Sequence, residues 1–287
     1  MISRLGIVFM RLLAPMPLPV VRGFGYALGR VLHLLVWKRR RVVDVNLRLC
    51  FPAWSAAQRR LVRREVFVHV AQSWLDRAWL WHGRPDVVRR RLLLVGAVDE
   101  LAGSEPTILF APHFVGLDAG VTALTQQQSR AMTGIYTRQT NRVVDEWVRQ
   151  GRNRFGGRPL SRVDGVRGLV AALRAGDLLY LLPDMNFGPE ESIFVPFYGV
   201  PAATVPSLSR FARLGRAKVV PVVTRLTPSG YEVRILPSWT GFPTQDAEAD
   251  TALMNERLQG WIDQMPGQYY WVHKRFKTRP PGEPGVY

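Results

Sequence analysis

The chain has 287 residues, 47% of them hydrophobic, and its 39 Lys and Arg against 22 Asp and Glu leave a formal net charge of +17. That length and apolar content predict one large α/β domain with an N-terminal appendage, and the charge calls for an acidic partner: nucleic acid, an anionic membrane surface, or an acidic protein or phosphorylated substrate. Cys50 is the only cysteine, which excludes an internal disulfide, a Cys-rich zinc site and a redox pair.

The first element is the run LPVVRGFGYALGRVLHLLVW from Leu18 to Trp37. At about 1.5 Å per residue it is long enough to cross a bilayer core. Arg22, Tyr26, Arg30 and His33 nevertheless fall on one helical face, and Val21, Phe24, Leu28, Val31, Leu32 and Leu35 crowd the other. Such an amphipathic helix is expected to lie in a membrane interface or to pair with another element, with a tilted single span as the alternative. The KRRR run from Lys38 to Arg41 follows directly, and the positive-inside tendency then places the downstream chain in the cytoplasm. No small-residue cleavage site follows the apolar core, so a removable signal peptide is not expected. Residues 1–41 therefore read as a membrane-anchoring helix with a basic stop, and 42–287 as the folded domain.

From Val42 to His82 the pattern is helical. Ser55 with Gln58 three residues on is a capping-box signal that opens a long helix with an arginine-rich polar face. His69 and His82 have no second histidine or cysteine at ligand spacing and read as packing residues.

Beyond Pro85, short apolar runs appear at 107–113, 131–136, 177–184 and 217–226, each bounded by Gly, Pro or polar residues. These read as buried strands. Helical patterns at 118–126, 141–154, 165–175 and 204–214 separate them, which predicts a central, mostly parallel mixed sheet flanked by helices. The alternation in YEVRILPSW, 231–239, adds an antiparallel edge strand. Ligand chemistry in such sheets gathers at the carboxyl ends of the strands, where His113 ends the first run and Asp184 the third.

Asp118 follows His113 by five positions in APHFVGLD. If the intervening residues turn into a helix, the carboxylate orients the imidazole through Nδ1, leaving Nε2 free to take a proton from a bound hydroxyl. There is no G-x-S-x-G elbow, so direct attack by a substrate hydroxyl is favoured over an acyl-enzyme.

The stretches PHFVGLD, GRNRFGGRPL, LLPDMNFGPEESIFVPFYGVPAAT and WVHKRFKTRPPGE together resemble the bacterial late acyltransferases of lipid A biosynthesis, over essentially the whole chain. The resemblance implies transfer of a fatty acyl chain from acyl carrier protein to a hydroxyl of a lipid A precursor, at the cytoplasmic face of the bacterial inner membrane. It places the family's H-x4-D/E pair on His113 and Asp118, Asp standing where Glu is commoner, and the family's arginine on Arg152, as holder of the oxyanion or of a substrate phosphate. Arg138, Arg154, Asp184, Lys274 and Arg275 are implied substrate-binding residues. The family's Asp-Gln-Asp-x-Gly loop appears as DMNFG, which keeps Asp184 and Gly188 but puts Met185 and Asn186 in the middle. The aromatic and basic run from Trp271 to Arg279 suits a lipid phosphate or the acidic face of a carrier protein. The implied chemistry requires no metal or organic cofactor. Three rival functions remain: a glycerolipid acyltransferase sharing the dyad, a basic membrane-bound binding protein with an inert dyad, and a nucleic-acid binder, for which no recognition fold is visible.

Overall fold

A computed structural model describes residues 2–136, 138–161 and 165–287. Its centre is a seven-stranded sheet in the order β1-β9-β8-β2-β5-β3-β4, formed by β1 (Leu92–Gly96), β2 (Thr107–Phe110), β3 (Met132–Tyr136), β4 (Gly157–Ser161), β5 (Leu178–Leu181), β8 (Lys218–Thr227) and β9 (Gly230–Ile235). Every pairing is parallel except β8 with β9. The mostly parallel sheet expected from alternating strand and helix patterns is present. The last strand differs in position: β9 is antiparallel to β8 as expected, but β1 pairs along its other side, so it is not an edge. β6 (Ile193–Phe197) and β7 (Val200–Thr204) form a separate hairpin.

Helices α6 (Leu117–Gln127), α7 (Arg142–Asn153), α8 (Gly165–Arg174), α9 (Ser207–Gly215) and α10 (Ala247–Gln264) cover the sheet. Strands β2 and β5 are buried at every position, as expected for strands covered on both faces. The Ser55 capping box is formed, with the Ser55 hydroxyl accepting from the Gln58 amide at 3.2 Å and the Gln58 side chain accepting from the Ser55 amide at 2.8 Å. It opens α4 (Ala56–His82), the longest helix. His69 and His82 are packing residues: His69 Nδ1 meets the Gly267 carbonyl at 2.8 Å, and His82 Nε2 accepts from the Trp147 indole at 2.8 Å.

Three helices precede α4: α1 (Ile2–Leu13), α2 (Leu18–Leu35) and α3 (Trp37–Cys50). Helix α2 does not divide by polarity: Leu18 and Val21 are buried, Tyr26 and Arg30 are exposed, and part of each sequence face points the unexpected way. Arg22, Gly25, Gly29 and His33 face inward against α4, whereas Val20, Phe24, Leu28, Val31 and Leu35 are exposed, Leu35 at 72%. The physical reason is twofold. A Cβ on Gly29 would sit 2.5 Å from the Val68 Cα, so only glycine lets the two backbones approach this closely. Arg22 is then neutralised in the interior by Asp76, at 2.9 Å, whose carboxylate also accepts from Trp79 Nε1 and the Tyr231 hydroxyl. This buried network ties α2 to α4 and β9, and breaking such a pair costs about 3–5 kcal/mol. Among the described residues, no helix is long and apolar enough to cross a membrane.

Candidate active site

In the register of β2 and β5, Phe110 lies opposite Leu181. His113 and Asp184 each stand three residues beyond that pair, so adjacent parallel strands deliver them to the same point. The Ala111 amide continues the ladder to the Leu181 carbonyl at 2.9 Å. Beyond it the chain leaves the sheet and is clamped by a segment near the C-terminus. The Val115 amide donates to the Gln268 carbonyl and the Tyr270 amide to the His113 carbonyl, both at 2.9 Å, around a bridge between Phe114 and Tyr269.

Asp184 is fully buried and accepts three hydrogen bonds or their equivalent. His113 Nδ1 is 2.7 Å from Oδ1, while the His113 amide and the Tyr269 hydroxyl each donate to Oδ2 at 3.0 Å. Burial alone would raise the carboxyl pKa, but the His113 charge and these donors hold it below the usual range. An ionised carboxylate accepts a hydrogen bond from Nδ1–H, which leaves the lone pair on Nε2. That nitrogen has no hydrogen bond among the described residues, and the side chain is 18% exposed.

The Nδ1 partner of His113 is therefore Asp184 and not Asp118, which corrects the pairing expected from the H-x4-D spacing. Asp118 sits in the first turn of α6, where its carboxylate bridges two guanidiniums: Arg77 Nε at 2.7 Å and Arg152 Nε at 2.8 Å. Burial opposes its ionisation, yet the two arginines hold its pKa well below the usual carboxylate range, and Asp118 in turn raises that of Arg152. The helical turn that was expected to bring Asp118 under the imidazole instead carries it toward α4 and α7. Two glycines fix α6 there. A Cβ on Gly116 would meet Thr224 Cγ2 at 2.6 Å, and one on Gly120 would meet Thr224 Oγ1 at 2.6 Å.

The Arg77, Asp118 and Arg152 cluster carries one surplus positive charge. Each arginine gives Asp118 its Nε, and among the described residues the Nη groups of both are without hydrogen bonds. Arg77 also stacks its guanidinium near Trp74 and Trp81, at 5.2 and 5.3 Å from the ring centroids. Arg77 was not visible as a site residue in the sequence, because it is one of many arginines on α4; a faint signal was its place between Trp74 and Trp81, away from the exposed run at the start of the helix.

The other residues singled out by sequence separate clearly. Arg154 donates Nη1 to the Leu80 carbonyl at 3.0 Å and Nη2 to the Gly83 carbonyl, closing the C-terminus of α4. Arg275 is corrected from ligand contact to the interior: 2% exposed, it donates to the Ala203 carbonyl at 2.8 Å and to Thr204 Oγ1 at 2.6 Å in the β6-β7 hairpin. Arg138 and Lys274 are exposed, Lys274 with its ammonium 5.4 Å from the Tyr287 ring centroid.

Most of the C-terminal run is a brace. Asn46 donates to the carbonyls of Trp271 and His273, both at 2.8 Å, and His273 Nε2 accepts from the Asn186 amide at 3.1 Å. Burial, with Arg275, His113 and Arg39 nearby, pushes the His273 pKa down to about 4, so it is neutral around pH 7. The departure at Asn186 has a structural role. Its side-chain oxygen accepts from the Gly188 amide at 3.1 Å and the Thr278 hydroxyl at 3.0 Å, while Nδ2 donates to the Arg275 carbonyl at 3.4 Å, a bond that a carboxylate has no proton to make.

Residues 1–278 match the family model for bacterial lipid A biosynthesis acyltransferases. The lipid A biosynthesis lauroyltransferase of Escherichia coli K12 is 33% identical over 99% of this chain and 94% of its own. The palmitoleoyltransferase of the same strain is 32% identical over 95% of this chain and 90% of its own, and the myristoyltransferase 32% over 89% and 80%. A solved 1-acyl-sn-glycerophosphate acyltransferase from Thermotoga maritima aligns with 86% of this chain and 97% of its own at 11% identity, with a TM-score of only 0.40.

Proposed function

Since the chain belongs to the bacterial lipid A biosynthesis acyltransferase family, we propose that it moves a fatty acyl chain from the thioester of acyl carrier protein to a hydroxyl of a lipid A precursor. The observation that carries this is the unengaged Nε2 of a partly exposed histidine whose Nδ1 is held by a buried, ionised carboxylate. His113 takes the proton from the acceptor hydroxyl as that oxygen attacks the thioester carbonyl. The tetrahedral intermediate collapses with cleavage of the C–S bond, and the imidazolium returns its proton to the departing thiolate. Asp184 fixes the tautomer and stabilises the imidazolium; Tyr269 and the His113 amide fix Asp184.

The surplus charge of Arg77 and Arg152 suits a phosphate of the acceptor, and their Nη groups are the donors that would meet it. Asp118 positions both guanidiniums. The net charge of +17 suits an acidic carrier protein and a phosphorylated lipid alike.

The chain would work at the cytoplasmic face of the inner membrane, seated by the outward faces of its first two helices. On α1, Leu5, Val8, Phe9 and Leu12 are exposed, as are Val20, Phe24, Leu28, Val31, Leu34 and Leu35 on α2. Exposed large apolar side chains in this number suit a lipid surface, and the Lys38–Arg41 run that follows α2 fits anionic headgroups.

The test is transfer from labelled acyl carrier protein thioesters to a tetra-acylated lipid A precursor by membranes containing the chain. Transfer is expected from the parent and is expected to collapse in His113→Ala. Equal transfer by parent and variant, or transfer to a glycerolipid but not to the lipid A precursor, would contradict the proposal.

A further inference from the structure

A second basic site lies away from His113. Helices α1 and α7 meet along a surface cleft of about 330 Å³, with Arg4 and Arg11 on one wall and Arg142 on the other. Ile7, Val143 and the buried Trp147 complete its apolar lining. The same two segments are joined by a hydrogen bond from Asn141 Nδ2 to Ser3 Oγ at 3.0 Å. Ten residues of α7, about 15 Å at the usual helical rise, separate Arg142 from Arg152.

The charges in this cleft are unbalanced. Among the described residues, no carboxylate forms an ion pair with Arg4, Arg11 or Arg142. Glu146, the one acid lining the cleft, is engaged by Arg149 at 2.8 Å and by Gln150 at 2.7 Å. Asp145, beside it, accepts from the Gln139 amide at 2.6 Å and from the Tyr136 hydroxyl. Three guanidiniums over an apolar floor, next to the exposed Leu5, Val8, Phe9 and Leu12, form a site with an anionic end and a greasy end.

We propose that the α1–α7 cleft binds the headgroup phosphate of an anionic bilayer phospholipid, with its acyl chains lying along the outer face of α1. This rests on the membrane-facing orientation of α1 and α2 given above. Such a lipid would fix the depth and rotation of the protein on the bilayer, because a phosphate held by guanidiniums on two helices orients more strictly than a general surface charge.

The test uses the full chain in a non-ionic detergent, incubated with dioleoyl phosphatidylglycerol or dioleoyl phosphatidylcholine and read by native mass spectrometry. Retention of phosphatidylglycerol is expected to exceed that of phosphatidylcholine by about tenfold or more. The preference is expected to vanish in Arg4→Gln/Arg11→Gln/Arg142→Gln and in the single charge reversal Arg142→Glu. It should survive in Arg48→Gln/Arg60→Gln/Arg64→Gln, which removes the same charge from exposed positions on α3 and α4. Equal loss in both triple variants, or retention in the first, would overturn the site. Displacement of the phospholipid by millimolar inorganic phosphate would overturn its assignment to a lipid. Acyl transfer in detergent separates this from the acceptor's own phosphates: KM for the acceptor should stay within about twofold of the parent in the cleft variant. A rise well beyond that would reassign the cleft to the acceptor. If the parent transfers no acyl chain at all, the proposed function fails while the retention measurement still decides the cleft.

Discussion

Asp184 and Asp118 are both buried and both held below the usual carboxylate range, yet they serve opposite kinds of partner. Asp184 faces an imidazole, whose charge comes and goes, and two neutral donors. Asp118 faces two guanidiniums that never lose their charge. The first arrangement stores a proton position and can support proton transfer; the second stores a fixed field and can support anion binding. What decides between them is the neighbouring strand or helix that supplies the partner, and five residues of spacing from His113 say nothing about that.

The difference can be broken most sharply at Asp184. Asp184→Asn keeps the shape but presents an amide to Nδ1, and a mismatched tautomer is expected to lower kcat by about 10³-fold, with the acceptor KM little changed. Steady-state transfer kinetics check this, and a loss confined to KM would contradict it. At Asp118 the expected effect is on the fold. Asp118→Asn leaves two guanidiniums without a counter-charge and should cost about 3–5 kcal/mol in chemical denaturation, partly recovered in Asp118→Asn/Arg77→Met. Absence of recovery would show that the two charges are not coupled through Asp118.

A smaller effect tests the brace behind the imidazole. The folded His273 pKa is about 4 against an ordinary 6.5, so as pH falls through that window the unfolded chain binds a proton that the folded chain refuses. Stability should therefore decline between these values, by at most about 3 kcal/mol at 1.36 kcal/mol per pH unit. His273→Gln retains an acceptor for the Asn186 amide and should flatten the Tm profile across that window while leaving Tm at pH 8 nearly unchanged. An unaltered slope would remove His273 from the account.

Much of the sheet was legible because its central strands are short apolar runs between breakers, and the capping box marked the start of α4 within one residue. His113 and Asp184 were both legible as lying at the carboxyl side of strands, although β2 and β5 end three residues before them, at Phe110 and Leu181. Their contact was not, because it depends on β2 lying beside β5, a pairing across 71 residues that local pattern does not encode. The burial of Arg22 was hidden for a related reason: Arg22 looks like a solvent residue until Asp76 appears beside it from another helix. Gly25 and Gly29, four apart on the Arg22 side, were the available sign that this face meets a backbone. The interior position of Arg275 was likewise hidden, since its partners in β7 are backbone and hydroxyl oxygens with no charge to announce them.

The most direct measurement is the tautomer of His113 by ¹⁵N NMR of histidine-labelled protein near neutral pH, with the signal assigned by its loss in His113→Ala. The account predicts a proton on Nδ1 and a bare Nε2 in the parent and in Asp118→Asn, and loss of that tautomer in Asp184→Asn. A proton on Nε2 in the parent, or a tautomer that responds to Asp118→Asn and not to Asp184→Asn, would contradict it.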